Sequence, residues 1–155
     1  MDYQDTILLV DKGQKTISST VGHDLMKGHP YAEARFKQAG ANLEKLIPVL
    51  ENGDLDSFCS LVEQEALSLH AVMLSSTPSY ILLKPNTLAI INKIWEKRKG
   101  GTPVCFTLDA GANVHMLYPS QYREEILEFI NNELVVYCEN GHYICDRVGD
   151  GANLL

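Results

Sequence analysis

The stretch VCFTLDAGANVHMLY, residues 104–118, holds two apolar runs on either side of a polar turn that contains glycine. The runs 104–108 and 114–118 have the length and composition of strands, and DAGAN at 109–113 is typical of the loop between them. A loop of this length joins antiparallel neighbours, so the stretch predicts a β-hairpin. The fold should therefore contain an antiparallel sheet.

Upstream of the hairpin, the sequence predicts one strand and a pair of helices. The apolar run TILLV at 6–10 ends in a DKG turn, which is typical of a buried strand. Apolar residues at helical spacing indicate two amphipathic helices, over 31–50 and 55–73, joined at the NGD turn with Asp54 as a candidate N-cap. Pro48 should kink the first helix or end it early. The apolar residues assigned to the first helix are Tyr31, Phe36, Ala39, Leu43, Leu46, Ile47 and Leu50.

Three further elements complete the prediction. A helix over 86–99 precedes the hairpin and should end at Gly100, and another follows the hairpin over 120–132. Strands are predicted at 134–138 and, as a last short one, near 143–145. The inward side chains of the helix at 86–99 should be Leu88, Ile91, Ile94 and Trp95.

The order strand, helices, strand, strand, helix, strand is the split β-α-β-β-α-β arrangement, with an enlarged helical first crossover. The predicted class is α+β: a ferredoxin-like antiparallel sheet backed by helices. The length of 155 residues fits a single domain over 1–155.

Composition excludes several classes of protein. Twenty acidic against thirteen basic residues give a formal charge of −7, which disfavours nucleic acid and anionic membranes as partners. No apolar run approaches the roughly 18 residues of a membrane span, and the N-terminus lacks the features of a signal peptide. The four cysteines include no C-x-x-C pair and no histidines have metal-ligand spacing, so we expect no metal site and a reducing cytoplasm.

Two segments are candidate sites. Asp109 places a carboxylate after an apolar strand, beside small residues that let a ligand approach, although aspartate is also an ordinary turn former. Ser18, Ser19 and Thr20 offer hydroxyls and N–H groups at a predicted helix start, where an anion could bind, although capping explains them equally well. His70 and His115 are more typical of core or boundary histidines than of catalytic ones.

Four motifs together resemble the C-terminal half of diphosphomevalonate decarboxylases, members of the GHMP kinase superfamily. In chain order they are ISSTVG at 17–22, LHA at 69–71, TPSY at 77–80 and FTLDAGAN at 106–113. The resemblance covers almost the whole chain. It implies the fold of the GHMP kinase C-terminal domain, which agrees with the element order predicted above.

The resemblance implies an enzyme of isoprenoid biosynthesis by the mevalonate pathway. It would convert mevalonate 5-diphosphate to isopentenyl diphosphate, with ATP and Mg²⁺ as cofactors. Asp109 would then be the catalytic carboxylate at the substrate's tertiary hydroxyl, and Ser18, Ser19 and Thr20 would bind the substrate. The family's N-terminal domain, which carries the phosphate loop, has no counterpart in the sequence, so the nucleotide should be bound mainly by that domain in the same or a second chain.

Departures from the family pattern leave alternatives open. Thr20 stands where bacterial relatives commonly carry arginine, Ala112 replaces a proline of the aspartate loop, and His23 replaces a methionine. A phosphomevalonate decarboxylase, a mevalonate 3-kinase, or a non-catalytic ligand or interaction domain of the same fold are the alternatives. Without its N-terminal half the chain should be inactive, and the exposed partner face should favour a homodimer.

Overall fold

A computed structural model of the chain describes residues 2–13 and 26–149. Within them, four strands and four α-helices follow the predicted order. They are β1 (Tyr3–Leu8), α1 (Ala32–Asn52), α2 (Leu55–Leu74), α3 (Pro85–Lys99), β2 (Cys105–Leu108), β3 (Val114–Pro119), α4 (Arg123–Phe129) and β4 (Tyr143–Arg147). None of the described helices is long and apolar enough to cross a bilayer.

The strands form one sheet in the order β2-β3-β1-β4, and every pairing is antiparallel. The α+β class and the β-hairpin are thereby confirmed. Leu8, the last residue of β1, pairs with Val114, the first residue of β3. The chain that leaves β1 therefore runs beside the loop between β2 and β3.

Side chains alternate across the sheet, as the pleat requires. Phe106 lies in the larger of two apolar clusters, with residues of α3 and α4 such as Ile90, Ile94 and Ile126, while its neighbour Cys105 lies in the smaller cluster with Phe58 and Cys59 of α2. Strand β2 thus contributes side chains to an apolar cluster on each of its faces. This burial fixes the position of the loop at its tip.

Capping residues in the sequence predicted the boundaries of two helices correctly. Asp54 is the N-cap of α2, and its Oδ1 accepts a hydrogen bond from the Ser57 N–H at 3.1 Å. The Gly100 cap ends α3 as predicted. Pro48 does not end α1 early, because the helix continues to Asn52 with Pro48 exposed on its surface.

The predicted strand at 134–138 is wrong. The helical path of α4 continues as a π-turn over Ile130–Leu134 and a 3₁₀ turn over Val135–Tyr137. Leu134 is fully buried in the larger cluster, and the Asn86 amide donates to the carbonyl of Tyr137 at 3.0 Å. Packing against α3 thus overrides the β-propensity of the two valines. The fourth strand is β4, and β1 begins three residues earlier than predicted.

The prediction of inward side chains also needs correction. In α3 the buried residues are Thr87, Ile90, Ile91 and Ile94, whereas Leu88 is exposed. In α1 the apolar residues do not form one core-facing stripe. Leu46 packs on the smaller cluster, but the exposed group comprises Tyr31, Phe36, Leu43, Ile47 and Leu50.

Candidate functional site

Asp109 occupies the tip of the buried hairpin, immediately after β2. Its side chain is exposed, while Leu108 before it and Ala112 after it are buried. Within residues 2–13 and 26–149, no hydrogen bond or ion pair engages its carboxylate. The carboxylate can therefore accept a hydrogen bond or a proton from a bound molecule.

The backbone of this loop is anchored by three separate parts of the chain. The Asp109 carbonyl lies 3.1 Å from Nε2 of His70 on α2. The Ala112 carbonyl accepts a hydrogen bond from Oγ1 of Thr87 on α3 at 2.6 Å. Oδ1 of Asn113 accepts from the backbone N–H of Asp11, beyond β1, at 2.9 Å. These contacts hold Asp109 on a rigid support, as a positioned acid or base requires.

His70 is buried on the side of the loop that faces the protein interior, not on its solvent side. Its side chain is only 2% exposed, and burial lowers its pKa, although the hydrogen bond to the Asp109 carbonyl opposes that shift. Since a carbonyl can only accept, Nε2 of His70 must carry the donated proton. This position agrees with the prediction that His70 is a core or boundary histidine. Its ring contacts the backbone of the aspartate loop.

Lys84 places a positive charge beside Asp11, which anchors the aspartate loop, and it is not among the residues predicted from the sequence. Its Nζ lies 2.5 Å from Oδ2 of Asp11, and this contact, with the Gly13 N–H, lowers the Asp11 pKa. Lys84 is the N-cap of α3, and its backbone N–H donates to Thr87 Oγ1 at 3.2 Å. The sequence KPNT at 84–87, with proline at N1 and threonine at N3, is the signal that could have located it.

Ser18, Ser19 and Thr20 lie outside the described residues, so their role stays a prediction. The described chain on each side of them has a defined position. It leaves at Gly13, whose N–H donates to Asp11 Oδ1 at 2.8 Å beside the aspartate loop. It resumes at Met26, and His29 Nε2 then lies 3.3 Å from Ser75 Oγ at the end of α2. Gly13 and Met26 are thus the described residues on either side of the segment that contains Ser18, Ser19 and Thr20.

His115, the other histidine considered, pairs with Asp5 across β1 and β3, with Nδ1 2.9 Å from Oδ2. The described residues contain no group of three or more His, Cys, Asp or Glu side chains that could hold a metal ion. The four cysteines are all free thiols.

Comparison with protein families gives one match over nearly the whole chain. The family described as the mevalonate 5-diphosphate decarboxylase C-terminal domain matches residues 6–148. A phosphomevalonate decarboxylase from Haloferax volcanii is 26% identical over 99 residues, 63% of this chain and 31% of that protein. A diphosphomevalonate decarboxylase from Debaryomyces hansenii is 34% identical over 79 residues, 50% of this chain and 20% of that protein.

Solved structures share the fold. Mevalonate pyrophosphate decarboxylase from Streptococcus pyogenes superposes with a TM-score of 0.88 at 20% identity, over 99% of this chain and 47% of that one. A mevalonate diphosphate decarboxylase from Legionella pneumophila gives 0.78 at 30% identity, over 93% and 45%. A complex of MDDEF with MVAPP, AMPPCP and magnesium gives 0.82 at 19% identity, over 92% and 43%. The chain therefore spans less than half the length of these structures.

Proposed function

The chain belongs to the mevalonate 5-diphosphate decarboxylase C-terminal domain family, and from this premise we propose that it forms one wall of the active site of an ATP-dependent decarboxylase. The substrate is mevalonate 5-diphosphate, and the products are isopentenyl diphosphate, carbon dioxide, ADP and phosphate. The observation that carries the proposal is the exposed Asp109 carboxylate on a loop anchored by His70, Thr87 and Asp11.

Asp109 is the catalytic residue of the proposed reaction. Its carboxylate accepts a hydrogen bond from the tertiary hydroxyl of the substrate and takes the proton as that oxygen bonds to the γ-phosphorus of ATP. ADP leaves in this step. The C–O bond to the new phosphate group then breaks together with the C–C bond to the carboxylate, which releases phosphate and carbon dioxide and forms the double bond.

Ser18, Ser19 and Thr20 hold the anionic groups of the substrate in this proposal. The support is the position of the described chain on each side, because Gly13 lies beside the aspartate loop and His29 lies at the end of α2. A segment of twelve residues between these points can reach a molecule bound at Asp109. Hydroxyl and N–H donors suit phosphate and carboxylate oxygens.

The nucleotide and Mg²⁺ are bound in this proposal mainly by an N-terminal domain, in the same or a second chain. The MDDEF complex contains an ATP analogue and magnesium, which supports their use in the family. Lys84 supplies a positive charge beside the chain that follows β1, and its side chain stays half-exposed although it pairs with Asp11. A cytoplasmic location is also part of the proposal, because free thiols are typical of proteins in a reducing compartment.

The similarity to the Haloferax volcanii enzyme favours a second candidate, decarboxylation of mevalonate 5-phosphate. The two substrates differ by one phosphate group, which lies away from the reacting carbon. Both candidates use Asp109 in the same role. The number of phosphates must therefore be tested separately from the chemistry.

The test is to supply this chain together with its N-terminal domain, in the same or a second chain, with ATP and Mg²⁺ and either mevalonate 5-diphosphate or mevalonate 5-phosphate, and to measure ADP and carbon dioxide together. The proposal predicts equal amounts of both products with the diphosphate, and a strong loss of both in Asp109→Ala. Products from the monophosphate alone would establish the second candidate. ADP without carbon dioxide would indicate a 3-kinase, and neither product from any substrate would indicate a non-catalytic domain; either result would contradict the proposal.

A further inference from the structure

Lys84 immediately precedes helix α3 and is connected to the aspartate loop, residues 109–113, by two separate paths of polar contacts. The first path starts at its backbone. The Lys84 N–H donates to Oγ1 of Thr87 at 3.2 Å, and the same hydroxyl donates to the carbonyl of Ala112 at 2.6 Å. Thr87 is fully buried, so this path runs through the interior of the protein.

The second path starts at the Lys84 side chain. Its Nζ lies 2.5 Å from Oδ2 of Asp11, in the chain that follows β1. The backbone N–H of Asp11 donates in turn to Oδ1 of Asn113, the last residue of the aspartate loop, at 2.9 Å. The two paths reach the neighbouring residues Ala112 and Asn113, so together they form a closed ring of contacts around one end of the loop.

The backbone from which the Lys84 side chain extends is itself held in place. Its carbonyl accepts a hydrogen bond from the Leu88 N–H at 3.3 Å, in the first turn of α3. The Asn86 side chain donates to the carbonyl of Tyr137 at 3.0 Å, which ties the same turn to the segment after α4. An ammonium group on such a support can restrain Asp11, because its own backbone is fixed by these contacts.

Asp11 needs this restraint more than its local contacts suggest. Its Oδ1 accepts a hydrogen bond from the Gly13 N–H at 2.8 Å, which is an ordinary turn contact between near neighbours. The contact with Lys84 is the main cause that lowers the Asp11 pKa, so the carboxylate is charged at neutral pH. Of these two side-chain contacts, only the ion pair joins Asp11 to a distant element, helix α3.

We propose that Lys84 is a positioning residue for Asp109, which acts by holding Asp11 and thereby the end of the aspartate loop at Asn113. This inference rests on the function proposed above, in which the Asp109 carboxylate must meet the substrate hydroxyl. A displacement of about 1 Å can reduce a reaction rate a hundredfold. An exposed ion pair can therefore matter for turnover although it contributes little to the stability of the fold.

The experiment measures kcat, substrate affinity and the thermal unfolding midpoint of this chain together with its N-terminal domain. It uses ATP, Mg²⁺ and whichever of mevalonate 5-diphosphate and mevalonate 5-phosphate is turned over. Lys84→Met keeps the backbone path and removes the ion pair, so kcat should fall about three- to tenfold with the other two quantities nearly unchanged. Lys84→Arg should restore most of kcat, because a guanidinium can again pair with Asp11.

Asp11→Asn tests the same ion pair from the other side. Asparagine keeps an oxygen for the Gly13 N–H and a backbone N–H for Asn113, but it has no charge for Lys84. It should lower kcat as much as Lys84→Met does. The double variant Lys84→Met/Asp11→Asn should be no slower than either single variant, because all three lack the same contact.

Lys93→Met is the matched control. Lys93 lies further along α3 and pairs with Glu133 at 2.9 Å, also near the surface, so its loss should leave kcat unchanged. A second readout needs no turnover: exchange of the Asp11 amide proton with solvent, followed by NMR. This exchange should become faster in Lys84→Met but not in Lys93→Met, because the bond to Asn113 opens more often once the ion pair is lost.

The proposal is overturned if kcat of Lys84→Met equals that of the original protein, or if the two losses multiply in the double variant. It is also overturned if substrate affinity falls while kcat is kept, because Lys84 would then bind the substrate directly. Failure of the proposed function is a different result, in which the original protein releases neither ADP nor carbon dioxide from either substrate. Unchanged exchange of the Asp11 amide in Lys84→Met would overturn the proposal even then.

Discussion

At the level of single residues, Asp109 depends on groups that lie far from it in the chain. The loop sequence DAGAN was enough to select Asp109 as a candidate, because a carboxylate after an apolar strand is a local pattern. His70 and Thr87, which anchor the loop, are separated from their acceptors by 39 and 25 residues. No local signal reports such contacts, so they could not be predicted from the sequence.

His70 should make the stability of the fold depend on pH. Burial lowers its pKa in the folded chain, so the unfolded chain binds the proton at higher pH than the folded chain does. The free energy of unfolding should therefore fall as pH drops below the ordinary histidine pKa of about 6.5, and should stop falling once the folded histidine is also protonated. Urea denaturation between pH 8 and about 5 measures this effect.

Two variants separate the charge of His70 from its hydrogen bond. His70→Gln keeps an N–H donor near the position of Nε2 but cannot titrate, so the pH dependence should become shallower. His70→Leu removes the donor and leaves the Asp109 carbonyl with one fewer partner, which should lower the free energy of unfolding by about 1–3 kcal/mol. If the pH profile of His70→Gln matched that of the original protein, His70 would not be the titrating group.

Among the secondary-structure elements, those defined by local chemistry were predicted and those defined by packing were not. The hairpin has its own turn residues and α2 has its own cap at Asp54, so neither needs information from distant parts of the chain. The segment 134–138 has the composition of a strand, but the burial of Leu134 against α3 makes it helical. The inward face of α3 was similarly shifted, since Leu88 is exposed and Ile90 is buried.

The buried ion pair between α2 and α3 should contribute strongly to the free energy of unfolding. Glu63 of α2 is 6% exposed and accepts hydrogen bonds from Nε1 of Trp95 at 2.8 Å and from both terminal nitrogens of Arg98 on α3. The contact with Glu63 raises the Arg98 pKa. Arg98→Met leaves a buried carboxylate without its cation, which should reduce the free energy of unfolding by about 3–5 kcal/mol.

The control is an exposed pair on the same helix. Lys93 of α3 contacts Glu133 at 2.9 Å near the surface, where an ion pair contributes at most about 1 kcal/mol. Lys93→Met should therefore have little effect in the same denaturation experiment. Equal losses in Arg98→Met and Lys93→Met would mean that burial of Glu63 does not determine the contribution of the pair.

In the whole molecule, folding and catalysis should require different parts of the protein. Within residues 1–155, the described ranges 2–13 and 26–149 contain a sheet covered by helices and two apolar clusters, so the chain should fold without further segments and unfold cooperatively. Phosphoryl transfer needs ATP and metal to be positioned as well. A protein limited to these residues should consequently release no ADP above its Asp109→Ala control. Cooperative unfolding with clear turnover would show that the proposed N-terminal domain is not required.

The central claim is that Asp109 accepts a proton in the reaction rather than only shaping a turn. The most direct measurement compares kcat, substrate affinity and the thermal unfolding midpoint of Asp109→Asn with those of the original full-length protein. Asparagine preserves the shape and the turn preference but cannot take the proton. We predict that kcat falls about a hundred- to ten-thousand-fold, with substrate affinity and the unfolding midpoint nearly unchanged. A kcat close to that of the original protein would contradict the account and leave Asp109 as a turn residue.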